Sequence, residues 1–176
     1  PPQQLSIRRG DSTQEHCTVY NMMHLSEYLL RWTGDASYDD YWERNLYNGT
    51  LAQQHPETGM VTYFLPLRSG SAKKWGTPTE DFWCCQGTLI QAHTVYPNHI
   101  FYEEGENLVL SQYIPCQLDW NKNEKHVRLT LTEDLHLDAH HRPCPFSSFA
   151  LPLALIVGNP RLSPRSLETA SVVQPA

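Results

Sequence analysis

Nowhere does the sequence contain a stretch of about 18 apolar residues, so it offers no helix built to span a bilayer. Its longest apolar run, near Phe149 to Val157, is short and is interrupted by Pro152. A Lys/Arg run able to neutralise phosphates is also missing, and the net charge is -6, which together argue against a nucleic-acid partner. The cysteines do not make an even set: Cys17, Cys84, Cys85, Cys116 and Cys144 number five, where a secreted disulfide scaffold pairs an even number in a shorter chain. Free or metal-bound thiols fit that count better. There is no internal repeat, no initiator Met and no signal-peptide pattern; the chain opens at Pro1-Pro2 and reads as a fragment, silent about its compartment.

What the sequence does hold is enough apolar matter for one domain or for pieces of two. It has 176 residues, 40% of them hydrophobic, with five Trp and nine Tyr. From Glu15 to Trp32 there is neither Gly nor Pro, and Tyr20, Leu25, Tyr28, Leu29 and Trp32 recur at helical spacing. Ser12 or Thr13 is the expected cap, Glu15 the first-turn acid and Gly34 the stop. A second helix is expected from Ser37 or Tyr38 to about Gln53, with Tyr41, Trp42, Leu46, Tyr47 and Leu51 turned inward. The short connection between them implies a helical hairpin.

Met60 to Leu65 reads as extended and Pro66 to Pro78 as a loop. A third helix is expected to start near Cys84 and to end before Pro97. Past Pro97 the alternating segments Ile100 to Tyr102, Asn107 to Ile114 and His126 to Thr132 predict β structure, so the class is α+β. After about Ala139 five prolines break any long element, and an irregular tail is expected. Asn48-Gly49-Thr50 matches a glycosylation sequon, a triplet that also arises by chance.

The chemistry centres on Cys84 and Cys85. Adjacent thiols close on each other only through a strained ring, so a shared metal, or a metal-tuned nucleophile beside a ligand, explains them better than a disulfide. Buried cysteine also serves as a small hydrophobe, and the pair alone does not decide between these. Glu15 and Cys17 would complete three thiolates and one carboxylate, a set that suits tetrahedral zinc. Residues two apart on a helix point about 200° away from each other, so both reach one ion most easily if the helix begins there. The plainer reading is a dipole-stabilising acid and a buried cysteine. His16, His24, His93, His140 and His141 are further candidate ligands, but none has a second His at i+3 or i+4; most read as surface or packing residues. If Cys84 and Cys85 open a helix, its backbone N–H groups favour thiolate. Glu43 lies among aromatic residues and could accept from sugar hydroxyls, or be a solvated helix charge paired with Arg44. Tyr63 is either a ligand-facing hydroxyl or ordinary strand packing.

Taken in order, the segments resemble glycoside hydrolase family 127 and its relative, family 146. They are Glu15 through Cys17, Tyr20-Asn21-Met22 and Arg31-Trp32-Thr33, then Tyr38 to Arg44 and Leu46-Tyr47-Asn48-Gly49. Leu65-Pro66-Leu67, Trp75-Gly76-Thr77-Pro78, Phe82-Trp83-Cys84-Cys85 and Gly87-Thr88 follow, with Tyr113-Ile114 and Leu118-Asp119-Trp120 extending the match. The resemblance spans roughly residues 1 to 120.

It implies retaining β-L-arabinofuranosidase chemistry on arabinose-containing plant-type oligosaccharides or glycans. The implied architecture is part of an (α/α)6 barrel over 1–97 and the start of a β-sandwich over 98–138, with the tail over 139–176. By resemblance Zn2+ is held by Glu15, Cys17, Cys84 and Cys85, Cys84 is the nucleophile, and Glu43 and Tyr63 lie near the sugar. Two departures stand out. The family's acid/base Glu precedes the Glu-x-Cys segment, yet residues 1–11 contain no Glu, and Gln91 stands where relatives often carry Glu. The expectation is therefore an incomplete glycosidase lacking its proton donor and much of its barrel, inclined to self-associate. The alternative is a non-catalytic zinc-stabilised or carbohydrate-binding protein derived from that enzyme.

Overall fold

A computed structural model describes residues 4–132, 155–157 and 168–169. The chain divides into two compact units, 1–96 and 97–176. The first is mainly helical. A short helix α1 (Gln4–Ile7) and strand β1 (Gln14–Glu15) precede α2 (His16–Thr33) and α3 (Ala36–Asn45); strand β2 (Phe64–Leu65) and α4 (Cys84–Val95) complete it. Two of these boundaries follow directly from local chemistry. Gly34 ends α2 in the left-handed conformation, φ 69°, donating its N–H to Leu30 O at 2.7 Å. Asp35 then caps α3, its Oδ1 accepting from Ser37 N at 2.9 Å.

At the start of α2 the expected cap is not used. Thr13 instead closes a turn on Gly10, accepting from its N–H and donating to its C=O, each at 2.7 Å. Glu15 takes the N-cap position in extended backbone, φ -101° and ψ 138°, because it is paired into a sheet: Gln14 lies opposite Leu65 and Glu15 opposite Phe64.

Helix α2 buries His16, Val19, Met23, Ser26 and Leu30, a stripe at alternating three- and four-residue steps. The apolar residues that reveal the helix in sequence are partly on the other side: Leu25, Tyr28 and Trp32 are exposed, Trp32 by 67%. A similar correction applies to the second helix. Trp42 and Leu46 are buried, whereas Tyr41, Tyr47 and Leu51 are exposed. The cause is a change of pitch. After Asn45 the chain widens into a π turn, Leu46–Thr50, then tightens into a 3-10 turn, Leu51–Gln53. This rotates later positions off the α-helical stripe and turns Gly49 and Thr50 inward. The sequon therefore lies in the π turn, with its Thr50 fully buried.

The second unit is antiparallel β. Strands β3 (Phe101–Glu104), β4 (Asn107–Leu110), β7 (Leu155–Val157) and β8 (Glu168–Thr169) form a sheet in the order β7-β4-β3-β8. Strands β5 (Cys116–Lys122) and β6 (Lys125–Leu131) form a hairpin, with Leu118 opposite Leu129 and Trp120 opposite Val127. Ile100, Phe101, Leu108, Leu110, Leu118 and Trp120 make the core. Glu103 receives Trp120 Nε1 at 2.8 Å and Lys122 Nζ at 2.5 Å. Burial pushes its carboxyl upward, but these two donors outweigh it and the net shift is downward. β5 was not among the predicted strands. The expected irregular tail lies outside the described residues except for β7 and β8, as do Cys144, His140 and His141. Among the described residues no helix is long and apolar enough to cross a membrane.

Candidate functional site

Three local features bring distant residues of the helical unit together. The β1–β2 pairing sets Glu15 opposite Phe64 and so carries Tyr63 to the start of α2. Gln53 holds this segment from within, its buried amide donating to Thr62 O at 3.1 Å and to Tyr63 O at 3.0 Å. Helix α4 opens at Cys84, its first turn fixed by Trp83 N donating to Gln86 Oε1 at 2.9 Å.

The result is a cluster of four side chains, Glu15, Cys17, Cys84 and Cys85, whose ligand atoms all lie within 4.8 Å of one another. Cys84 Sγ is 3.7 Å from Cys17 Sγ; Cys85 Sγ is 4.0 Å from each of the other two sulfurs. Cys17 Sγ is 3.4 Å from Glu15 Oε2. The tyrosine hydroxyl of Tyr63 lies 3.3 Å from Glu15 Oε2 and 3.4 Å from Cys84 Sγ. Cys85 is fully buried while Cys84 is exposed.

These spacings can be tested against a metal. Two sulfurs held at the zinc–sulfur distance of ~2.3 Å and the tetrahedral angle are about 3.8 Å apart, and a sulfur–oxygen edge is about 3.5 Å. The sulfur separations of 3.7 to 4.0 Å and the sulfur–oxygen separation of 3.4 Å match those edges. Four of the six edges among these three soft donors and one hard donor thus fit a tetrahedral ion, while the Glu15 carboxylate lies within 4.8 Å of the Cys84 and Cys85 sulfurs.

The electrostatics separate the three thiols. Burial pushes Cys17 up to about 12, helped by its hydrogen bond with Cys84 and by the neighbouring Cys85 and Glu15. Cys85 is also raised, by burial, although the backbone N–H groups of Cys17 and His16 donate to it. Cys84 alone is lowered, by hydrogen bonds from Tyr63, Cys17 and Cys85 that outweigh burial and the repulsion of Glu15. Tyr63 is raised correspondingly, first through its bond to Cys84. Packing three thiolates and a carboxylate together is costly without a cation, and of the three thiols Cys84 is the one whose surroundings favour the charged form.

Glu43 is not part of this cluster. It is half-buried on α3, and its carboxyl is raised by burial and by Asp40, with Arg44 opposing. Arg44 pairs with Asp40 at 2.6 Å. Of the histidines, His24 packs its ring on Tyr20 and lies 3.6 Å from Glu27. His93 Nε2 is buried without a hydrogen-bond partner. His16 is fully buried, with Nδ1 at 2.9 Å from Thr88 Oγ1 and Nε2 at 3.2 Å from Thr50 Oγ1; both ring nitrogens are therefore engaged away from the cluster. Burial, with His93 adding to it, lowers His16 to about 4.

Sequence reasoning did not assign roles to Thr50, Thr88, Trp75 or Trp83. Trp83 packs edge-on against Tyr63, ring centroids 5.4 Å apart. Tyr63, Trp75 and Trp83 line a cavity of about 330 Å³ together with Asp11, Lys74 and Asp81. Only the position of Trp83 beside the cysteine pair could have signalled this.

No curated protein matches the chain. A family match covers residues 1–98, more than half of the sequence, and its description is β-L-arabinofuranosidase, GH127 catalytic domain. With this match spanning all of the cluster, the chain belongs to glycoside hydrolase family 127.

Proposed function

We propose that the chain carries the nucleophile half of a retaining β-L-arabinofuranosidase site acting on arabinose-containing plant-type glycans. The observation that supports this most directly is the set of tetrahedral-edge spacings among Glu15, Cys17, Cys84 and Cys85. Zinc, when bound to these four, offsets their negative charge and keeps the Cys84 sulfur deprotonated near neutral pH. In this reading residues 1–97 are the C-terminal part of an α/α barrel and 98–138 the start of a β-sandwich.

Most retaining glycosidases use a carboxylate nucleophile. Here the Cys84 sulfur attacks the anomeric carbon, the bond from that carbon to the leaving oxygen breaks, and a thioglycosyl group forms on Cys84. The leaving oxygen takes its proton from an acid. The resemblance puts that acid before Glu15, where residues 1–11 hold no Glu, so the reading assigns the proton to a group outside this sequence. Water then attacks the same carbon, gives its proton to that group, and displaces the sulfur. Two inversions retain the configuration. Tyr63 directs its hydroxyl at Cys84 and Glu15, steadying the sulfur before attack and as it departs. The rings of Tyr63, Trp75 and Trp83 offer faces for a sugar, and Glu43, which is not among the residues lining that cavity, is assigned to its hydroxyls by the family resemblance alone.

Metal stoichiometry on the purified chain, with Cys17→Ala and Cys85→Ala beside it, tests the ligand set. About one zinc per chain, lost in both variants, is expected. An aryl arabinofuranoside with a good leaving group, which needs little acid assistance, tests the chemistry. Slow turnover abolished by Cys84→Ser supports it. Zinc and sugar binding without turnover, unchanged in sugar affinity by Cys84→Ser, would replace it with a carbohydrate-binding role.

A further inference from the structure

His16 stands between two of the four cluster residues in sequence, Glu15 and Cys17, yet its side chain turns the opposite way, into the protein. The proton positions around it follow from its partners. Thr88 Oγ1 is 3.1 Å from Cys84 O and 3.2 Å from Cys85 O, and carbonyls only accept, so the single hydroxyl proton goes to them. His16 Nδ1, at 2.9 Å, must then be the donor to Thr88. In the neutral ring Nε2 keeps its lone pair and faces Thr50 Oγ1 at 3.2 Å, closer than the Met23 sulfur that the same hydroxyl meets at 3.7 Å. One unbroken chain of hydrogen bonds thus runs from Thr50 in the π turn, through His16 at the head of α2, to Thr88 and the backbone of both cysteines on α4.

Among the described residues this chain is one of the links between the two pairs, beside the Tyr63 hydroxyl that touches both Glu15 and Cys84. Glu15 and Cys17 ride on the start of α2 and Cys84 and Cys85 on the start of α4, and a directional bond between these two starts adds to the packing of the helices in fixing their register. The backbone of His16 and Cys17 also donates to Cys85 Sγ, which ties the same turn to the fourth ligand. The close approach is made possible by Gly49, where a Cβ would meet Val19 Cγ1 at 2.6 Å.

We propose that His16 is a positioning residue: by clamping the first turn of α2 to Thr88, it sets the distance between Glu15 and Cys17 on one side and Cys84 and Cys85 on the other. This rests on the four-ligand reading above, and its test separates the two. Cobalt(II) added to the full chain reports the site through its sulfur-to-metal charge-transfer and tetrahedral ligand-field bands. Thr88→Val keeps the shape of the side chain and deletes the oxygen that accepts from His16. The expected result is cobalt and zinc affinity reduced ~10–100-fold, the loss typical when an outer partner of a ligand is removed, with weakened ligand-field bands. Thr88→Ser, which retains the oxygen, should restore both. Loss of general stability alone would not alter the spectrum of the folded fraction.

An unchanged spectrum and affinity in Thr88→Val would overturn the proposal. A wild-type chain that takes up neither metal would instead refute the four-ligand reading. The clamp would then be judged on metal-free protein, from the rate at which oxidised glutathione closes a Cys17–Cys84 disulfide while being reduced to two thiols. A rate at least ~10-fold slower in Thr88→Val sustains the clamp, and an equal rate removes it.

Discussion

The Tyr63 hydroxyl faces both Cys84 Sγ, at 3.4 Å, and Glu15 Oε2, at 3.3 Å. A phenol is a weak acid, so it donates without surrendering the proton. The bond is the largest influence holding Cys84 toward thiolate. Tyr63→Phe should therefore slow alkylation of Cys84 by iodoacetamide at neutral pH. It should also lower kcat/KM on an activated arabinofuranoside by about tenfold. Alkylation as fast as in the parent chain would show that the hydroxyl does not govern the sulfur.

Gly49 permits an approach that no larger residue can make. Gly49→Ala places a methyl group 2.6 Å from Val19 Cγ1 and 3.3 Å from Gln14 Nε2. Overpacking of this kind costs about 1–3 kcal/mol. Chemical denaturation should show that loss, and Val19→Ala in the same chain should recover part of it. Additive losses in the double variant would mean that the two residues do not press on each other.

The exposed face of α2 carries Met22, Leu25, Tyr28 and Trp32. Apolar residues grouped on one helix face favour association. Sedimentation should show concentration-dependent self-association, diminished by Leu25→Glu with Trp32→Glu while metal content stays constant. A monomer at every concentration would contradict this.

In the β unit the sign of pH dependence follows from Glu103. Its folded-state pKa lies below the ordinary carboxylate value, so the unfolded chain binds the proton more readily. The stabilisation is present above the unfolded value and is lost as pH falls through it toward the folded value. Glu103→Gln should flatten the acid limb of the melting profile while leaving the Glu15–Cys17–Cys84–Cys85 cluster intact.

Several of these features were legible in the sequence, for reasons tied to individual residues. The Gly- and Pro-free run after Glu15 and the stop at Gly34 locate α2 within a residue of its observed ends. Pro97 and the cysteine pair similarly bound α4. Other features depend on tertiary pairing and leave weaker marks. The inward face of the second helix changes where the π turn begins at Leu46, and no propensity announces that turn. β5 does alternate, with Leu118 and Trp120 inward, but polar neighbours dilute the signal. The convergence of Glu15, Cys17, Cys84 and Cys85 became an expectation through family resemblance, since chemistry and spacing alone favoured buried thiols and a dipole-stabilising acid. His16 had no legible role at all. Its partners, Thr50 and Thr88, lie 34 and 72 residues away, and only the folded chain brings them to it.

The cluster also has a topological meaning. Cys17 and Cys84 are 67 residues apart, so any ion that joins them closes a loop that takes in α2, α3 and β2. Such a clasp acts like a reversible cross-link, restricting the unfolded chain by roughly 4 kcal/mol on loop-entropy grounds. Removing the ion with a chelator would thus do more than silence a nucleophile. It would open the clasp, and proteases would register the release between Cys17 and Cys84 as readily as an assay registers lost chemistry.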